Sequence, residues 1–463
     1  MIDFKNIEGL YFVGIGGIGM SALAFYFNRG GFSIAGYDRS ESMITHRLEE
    51  AGCKITYNDE VSKIPDLFRN VSDKSKVIIV YTPAIPAESQ ILSFFRGKGY
   101  TLHKRSEILG EISLKTDTLA VAGTHGKTTI STMIAHLLKQ SHIDCSAFLG
   151  GISKNYDSNL LIGEGRYTVM EADEFDRSFH RLSPLMAVIT SLDADHLDIY
   201  GNRKSMIVAY NEFCKKIRKG GILVINRKIQ SEIIVPEGVT CYTYGPDPDA
   251  DYQYFEIVHQ KDYYSFNIKT PGGLINDLHF PFPGIVNIEN LTAAVSIALQ
   301  CGVTEQEIRK AIVLFQGVRR RFDIRINRPG LAFVDDYAHH PEEIRAFIKS
   351  VKEYFRGRKI TGIFQPHLFS RTRDHAEGFA AILDELDEPI LLPIYPAREK
   401  PIAGVTSQML LDLVNLQHKT LVQKDDLIRE IRDCKPEVLL TLGAGDIDRF
   451  VEPITELLTE PNV

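Results

Sequence analysis

The sequence has no excess of positive charge: 53 lysines and arginines stand against 60 aspartates and glutamates, a formal net charge of -7. This excludes a broad basic face as the main means of recognition and leaves any phosphates to local pockets, so nucleic acid is not an expected partner. Cysteines are few and solitary. Cys53, Cys145, Cys214, Cys241, Cys301 and Cys434 form no CxxC pair and no metal-ligand spacing, so no disulfide framework or zinc site is expected and the thiols read as reduced, in a cytoplasmic protein. Low-complexity tracts and short repeats are also missing. The one long uncharged run, GLYFVGIGGIGMSALAFYFN at 9–28, follows Asp3 and Glu8 rather than basic residues, and its glycines are spaced for strand, turn and helix. Neither a signal peptide nor membrane insertion is expected there.

What is present is a soluble α/β pattern. A chain of 463 residues is longer than one hydrophobic core usually supports, and its 44% apolar and 24% charged content is ordinary for an enzyme. The apolar runs LYFVGIG, FSIAGYD, CKITY and VIIVYTPAI, with helices near Met20–Arg29 and Ile44–Ala51, predict a Rossmann-like parallel sheet over residues 1–112. A second series begins at TLAVAG and runs through YTVMEAD, MAVITSLDADH and GGILVINR. It predicts a central P-loop ATPase-like domain over 113–318, with CYTYG, YQYFEIVH and YYSFNIKT forming an antiparallel edge. The strands LAFVDDY, KITGIFQPH, PILLPIY and EVLLTLGAGD predict a third, Rossmann-like α/β domain over 319–463.

Two glycine-rich turns carry the chemistry. Gly14, Gly16 and Gly19 match GxGxxG between a strand and a helix, with Gly17 and Ile18 inside the loop and acidic Asp38 at the end of the next strand. Glycine lets the backbone amides approach a diphosphate at the helix N-terminus, although NAD, FAD and UDP all present one. The second turn is Gly123, Thr124, His125, Gly126, Lys127, Thr128 and Thr129, a shorter variant of the P-loop in which Val121 stands where the usual first glycine falls. There Lys127 would reach the β/γ-phosphates and Thr128 a Mg2+ ion, over a helix whose Ile130, Met133, Ile134, Leu137 and Leu138 form one packed face. Two later strands end in Glu171 and in Asp193, Asp195 and His196. In a parallel sheet such ends converge beside the P-loop, where they could hold one or two Mg2+ ions.

The order GIGGIGMSALA, GTHGKTT, EADEFDRSF, DADHLD, Asn287 with Asn290, GVRRRF, DDYAHHP and FQPHLFSRT resembles the Mur ligase family over essentially the whole chain, and most closely its alanine-adding branch. The resemblance implies a UDP-sugar on the first domain, Mg-ATP on the second, and a third domain that closes over both. The implied reaction activates the lactyl carboxylate of UDP-N-acetylmuramate as an acyl phosphate, which the amine of L-alanine then attacks, in peptidoglycan precursor synthesis. Lys127, Glu171, His196, His340 and Arg371 would carry the chemistry, with Thr128, Glu171 and His196 attending Mg2+. Asn287 and Asn290 would face adenine, Arg320 and Arg321 would reach toward ATP, and Asp335 or Asp336 would lie near its ribose. Tyr337, His339, His367 and Arg371 would meet the substrates, Arg371 gripping a carboxylate bidentately. Where the family has arginine after FQPH this chain has Leu368, so a second arginine contact is not expected. A ligase that adds an intact tripeptide, a nicotinamide oxidoreductase built on the first domain and a P-loop switch ATPase are the competing readings. The oligomeric state stays open between monomer and weak dimer.

Overall fold

The computed structural model describes residues 2, 4–86, 88–193, 197–397 and 399–460. Among these residues no helix is long and apolar enough to cross a membrane. They form three sheets distributed over two compact units, one of Met1–Pro281 with Glu289–Gln316, the other of Phe282–Ile288 with Gly317–Val463.

The first unit holds two sheets. In the five-stranded one, the strands Lys54–Thr56, Ser33–Tyr37, Gly9–Val13, Val77–Tyr81 and Leu102–Lys104 lie side by side and run parallel. Gly9–Val13 is its middle strand and is buried throughout, as an all-apolar run between two neighbours should be. Its C-terminal end therefore delivers the first glycine turn at the topological switch point, where the chain connections diverge to either side.

The second sheet has ten strands. At its centre Asp117–Ala122 lies between Tyr167–Glu171 and Met186–Ile189, both parallel to it, with Val121 beside Glu171 and Ala122 beside Ile189. Three strand ends thus meet at the second glycine turn. Thr240–Gly245, expected to be antiparallel, pairs parallel with Ile222–Asn226. The chain crosses over through Arg227–Glu232 before returning, and a crossover rather than a hairpin makes a parallel neighbour. Antiparallel pairing starts only between Tyr252–His259 and Tyr264–Thr270 and continues to Gly273–Phe280. The opposite edge is an antiparallel hairpin of Cys145–Ser153 and Ser158–Leu161, which the sequence reading did not identify.

The helix after the second turn, Lys127–Lys139, also departs from the one-faced expectation: every residue from Thr128 to Leu138 is buried. Two of its polar residues are satisfied within the helix, since Ser131 and Thr132 donate to the Thr128 carbonyl at 3.1 and 2.7 Å. One continuous core joins the two sheets of this unit, running from Leu10, Phe12 and Leu23 to Phe148, Phe179 and Phe213.

In the second unit six strands follow the order Asp323–Arg328, Leu331–Asp336, Val438–Leu442, Ile360–Phe364, Glu388–Leu391 and Thr420–Leu421. All pair parallel except the first, an antiparallel edge strand the apolar pattern did not mark. With the helix Pro341–Tyr354 and its neighbours, this is a third α/β layer structure.

Candidate active site

At the first turn, Gly14 has φ +91° and, with Ile15, donates to the Tyr37 carbonyl, which bends the chain away from the sheet. Asp38 accepts from the Gly16 amide at 2.7 Å, so this carboxylate props the loop. Gly17 caps the helix Ile18–Arg29 without any side-chain bond, and the first-turn amides of Ile18 and Gly19 have no intrahelical acceptor. The result is a short stretch of forward-pointing amides at a positive helix end.

At the second turn, Gly123 has φ +129° and Gly126 φ +80°, and a Cβ at Gly123 would overlap the Thr190 hydroxyl. The loop is pinned by the neighbouring strand end. Thr124 and Ser191 share a hydrogen bond of 2.8 Å, His125 N donates to Ser191 Oγ at 3.0 Å, and Asp193 N donates to Thr124 Oγ1 at 3.1 Å. His125 Nε2 also lies 3.3 Å from the Asp193 carboxylate. Lys127 donates to the Gly123 carbonyl at 2.7 Å and to Glu174 at 2.8 Å. Burial pushes its ammonium down, but Glu174, Glu171 and Asp173 override that and hold the pKa above the ordinary lysine value. Thr128 Oγ1 donates to Glu171 at 2.8 Å, and Gly150 leaves the space this carboxylate fills. Asn290 Oδ1 would lie 2.8 Å from a Cβ on Gly126, so it stands against the loop. His196 and Asp195 lie outside the described residues.

The segment after Glu171 ties the two turns together. Asp176 and Arg177 both take left-handed φ values, +53° and +54°, a tight bend that non-glycine residues adopt only under tertiary constraint. Leading into the bend, Glu174 holds Lys127 and Asp173 meets Arg105 Nη2 at 3.2 Å, and within it Asp176 meets Lys104 at 2.5 Å. Sequence reading identified neither Glu174, Ser191 nor Arg105. DADHLD and EADEFD signalled acid at strand ends without saying which carboxylate faces which turn.

In the second unit the guanidinium carbons of Arg320 and Arg321 lie 5.2 and 5.0 Å from the centre of the Tyr337 ring. Arg320 also donates to the Gly443 carbonyl at 2.5 Å and sits 3.4 Å from Asp335. Asp335 and Asp336 are turned inward: Asp335 accepts from Thr441, and Asp336 from the amides of Phe322 and Ala338. Burial raises both carboxyls to about 6. His339 faces His367 at a ring distance of 6.1 Å, His367 Nδ1 lies 3.3 Å from Arg371 Nη1, and His367 stacks on Tyr395. Burial pushes His339 down to about 4, against the pull of Glu343 and with the help of Arg371. His340 instead faces His375 at 4.8 Å. Leu368 has φ +70°, and its carbonyl accepts from Thr372, so the turn carrying His367 and Arg371 is held in a strained form. Asn287 donates to the Pro283 carbonyl in the same unit.

The donor set at the second turn suits a hard cation: a hydroxyl and a carboxylate, Thr128 and Glu171, hydrogen-bonded to each other at the mouth of a phosphate-type loop. Among the described residues no group of three or more His, Cys, Asp or Glu gathers as a metal cage.

The sequence matches three family profiles: Mur ligase family, catalytic domain, over residues 9–116; Mur ligase middle domain over 121–298; and Mur ligase, glutamate ligase domain, over 320–445. It is 48% identical to the UDP-N-acetylmuramate--L-alanine ligase of Parabacteroides distasonis, covering 99% of this chain and 98% of that one. The enzyme of the same name from Porphyromonas gingivalis W83 is also 48% identical, covering 98% and 99%. Among solved structures, the UDP-N-acetylmuramate-alanine ligase MurC of Thermotoga maritima superposes with a TM-score of 0.82 at 26% identity, covering 97% of this chain and 98% of that one. A murein peptide ligase from Psychrobacter arcticus shares the fold, with a TM-score of 0.71 at 20% identity over 98% and 99% of the two chains.

Proposed function

The chain belongs to the Mur ligase family, and we propose on that premise that it joins L-alanine to the lactyl carboxylate of UDP-N-acetylmuramate with ATP, in peptidoglycan precursor synthesis. The carrying observation is identity of 48% over nearly the full length of both chains with ligases of that name. Two anion-binding turns in one unit, joined by the 171–176 segment, supply the physical rationale: one for the UDP-sugar, one for ATP.

A carboxylate is a poor electrophile and repels a triphosphate, so the site must neutralise charge and exclude water before an acyl phosphate can form. Lys127 is placed to exchange its Glu174 and Gly123 partners for phosphate oxygens. Thr128 and Glu171 would hold Mg2+, which when bound neutralises phosphate charge. Asn290 would meet the nucleotide beside Gly126. In the second unit Arg320 and Arg321 would serve phosphate. The burial of Asp335 and Asp336 suits them to holding Arg320 and the turn at Phe322. Arg371, oriented by His367, would take a substrate carboxylate, with Tyr337, His339 and His340 shaping that pocket. The domain limits near 112 and 318 remain part of this reading. Six free cysteines, none in a disulfide, suit a reducing cytoplasm.

The test is phosphate release from Mg-ATP and UDP-N-acetylmuramate. Release is expected only when free L-alanine is added. Release with L-alanyl-D-glutamyl-diaminopimelate alone would replace this reading with the tripeptide-adding one.

A further inference from the structure

The glycine loop at 14–19 is bordered by a cation that no motif marks. Arg105 begins the helix Arg105–Lys115, directly after the edge strand Leu102–Lys104 of the first sheet. Its guanidinium lies on the first turn of the helix Ile18–Arg29. A Cβ on Gly19 would overlap Arg105 Nη1 and come within 3.0 Å of Cζ. The third glycine of the motif is therefore the clearance this side chain occupies. The placement is electrostatically costly on its own, because a cation at a helix N-terminus sits against a positive dipole end and uncapped amides. Among the described residues Asp173 is its one ion-pair partner, through a single nitrogen at 3.2 Å, and the two side chains are 24% and 38% exposed. Its neighbour Lys104 is already engaged by Asp176. Most of the five guanidinium N–H groups remain for another acceptor, beside the first-turn amides of Ile18 and Gly19, which have no intrahelical acceptor.

We propose that Arg105 is a binding residue for the diphosphate of the nucleotide-sugar, held over the loop by Asp173 until that diphosphate arrives. This assignment rests on the nucleotide-sugar reading of the first turn. It adds a residue that reaches the loop from the far edge of the sheet. A diphosphate satisfies the guanidinium and the helix amides at once, which one carboxylate cannot do. Asp173 is then a competitor of the ligand as well as a tether.

The test is calorimetric titration of the full chain with UDP, with UMP as the probe lacking the second phosphate, and with Mg-ADP. Losing a charge-assisted contact to the diphosphate should weaken UDP binding by roughly ten- to a hundredfold in Arg105→Ala. UMP should weaken less, Mg-ADP should stay within about twofold, and Arg105→Lys should recover part of the loss. Asp173→Asn, which removes the competitor, should bind UDP as tightly as wild type or more tightly. Unchanged UDP binding in Arg105→Ala overturns the assignment while leaving the function intact. Equal losses for UDP and Mg-ADP would mean a merely structural role and also overturn it. A wild-type chain that does not bind UDP overturns the nucleotide-sugar reading, and this assignment with it.

Discussion

Lys127 and His339 show two opposite ways in which burial and neighbours set the charge of a side chain. The Lys127 side chain is only 14% exposed, and that of its Glu174 partner 1%, so the charge is kept by neighbours rather than by water. For His339 the balance goes the other way. It lies against Glu343, Tyr337, His367 and the cations Arg321 and Arg371, and burial holds it neutral with a pKa of about 4. The fold favours the neutral imidazole, so its contribution is complete above the unfolded value of about 6.5 and is lost as pH falls from there toward 4. Wild type should therefore lose roughly 2 kcal/mol of stability relative to His339→Gln between pH 7.5 and pH 5. Denaturant titration of both chains at the two pH values measures it. Parallel pH profiles would mean that the folded protein takes up the proton as readily as the unfolded chain.

At the scale of elements, the least legible piece is the turn between Cys145–Ser153 and Ser158–Leu161. Its Asn155 donates to the Leu314 carbonyl at 2.7 Å and accepts from Gln316 N at 2.9 Å, and Tyr156 OH meets His136 Nδ1 at 3.2 Å. Just beyond it, Asn159 donates to the Ile18 carbonyl. One hairpin thus braces the helices of both glycine turns and the segment 314–316 of the first unit. GTHGKTT could be read in advance because strand, loop and helix are contiguous and each residue type has a local reason. The hairpin could not, because glycines at 150 and 151 erase its alternation and its partners are distant in sequence. Glu174 and Arg105 escaped for the same reason, and CYTYG was misassigned because alternation marks a half-buried strand without fixing the direction of its neighbour. His136, 1% exposed, bonds the Ala311 carbonyl at 2.9 Å and packs on Phe315. His136→Ala should lower stability by about 2–4 kcal/mol through a cavity and an unpaired buried carbonyl. A denaturation midpoint within experimental error of wild type would show that the brace carries no weight.

Across the whole molecule, the alternation of strands and helices made the α/β class readable, since βαβ connection forces parallel neighbours and strand ends on one side. It did not reveal that the first two sheets share a core, because that depends on which apolar faces meet, such as Tyr26 against Phe148 at 5.2 Å. A shared core has a thermodynamic consequence: ligands of either turn stabilise the same cooperative unit. At a hundred times its dissociation constant each ligand adds about 2.7 kcal/mol to the folded state. UDP and Mg-ADP should then each raise the denaturation midpoint of the first unit, and together they should raise it by about the sum. Lys127→Ala separates the two effects. Removing the ammonium takes away the proposed phosphate contact at the second turn and no direct contact with Gly14–Gly19, so the Mg-ADP increment should largely disappear while the UDP increment remains and ligase turnover is lost. If the variant loses both increments, the two turns are not independent binding sites. If it loses neither, Lys127 does not bind phosphate.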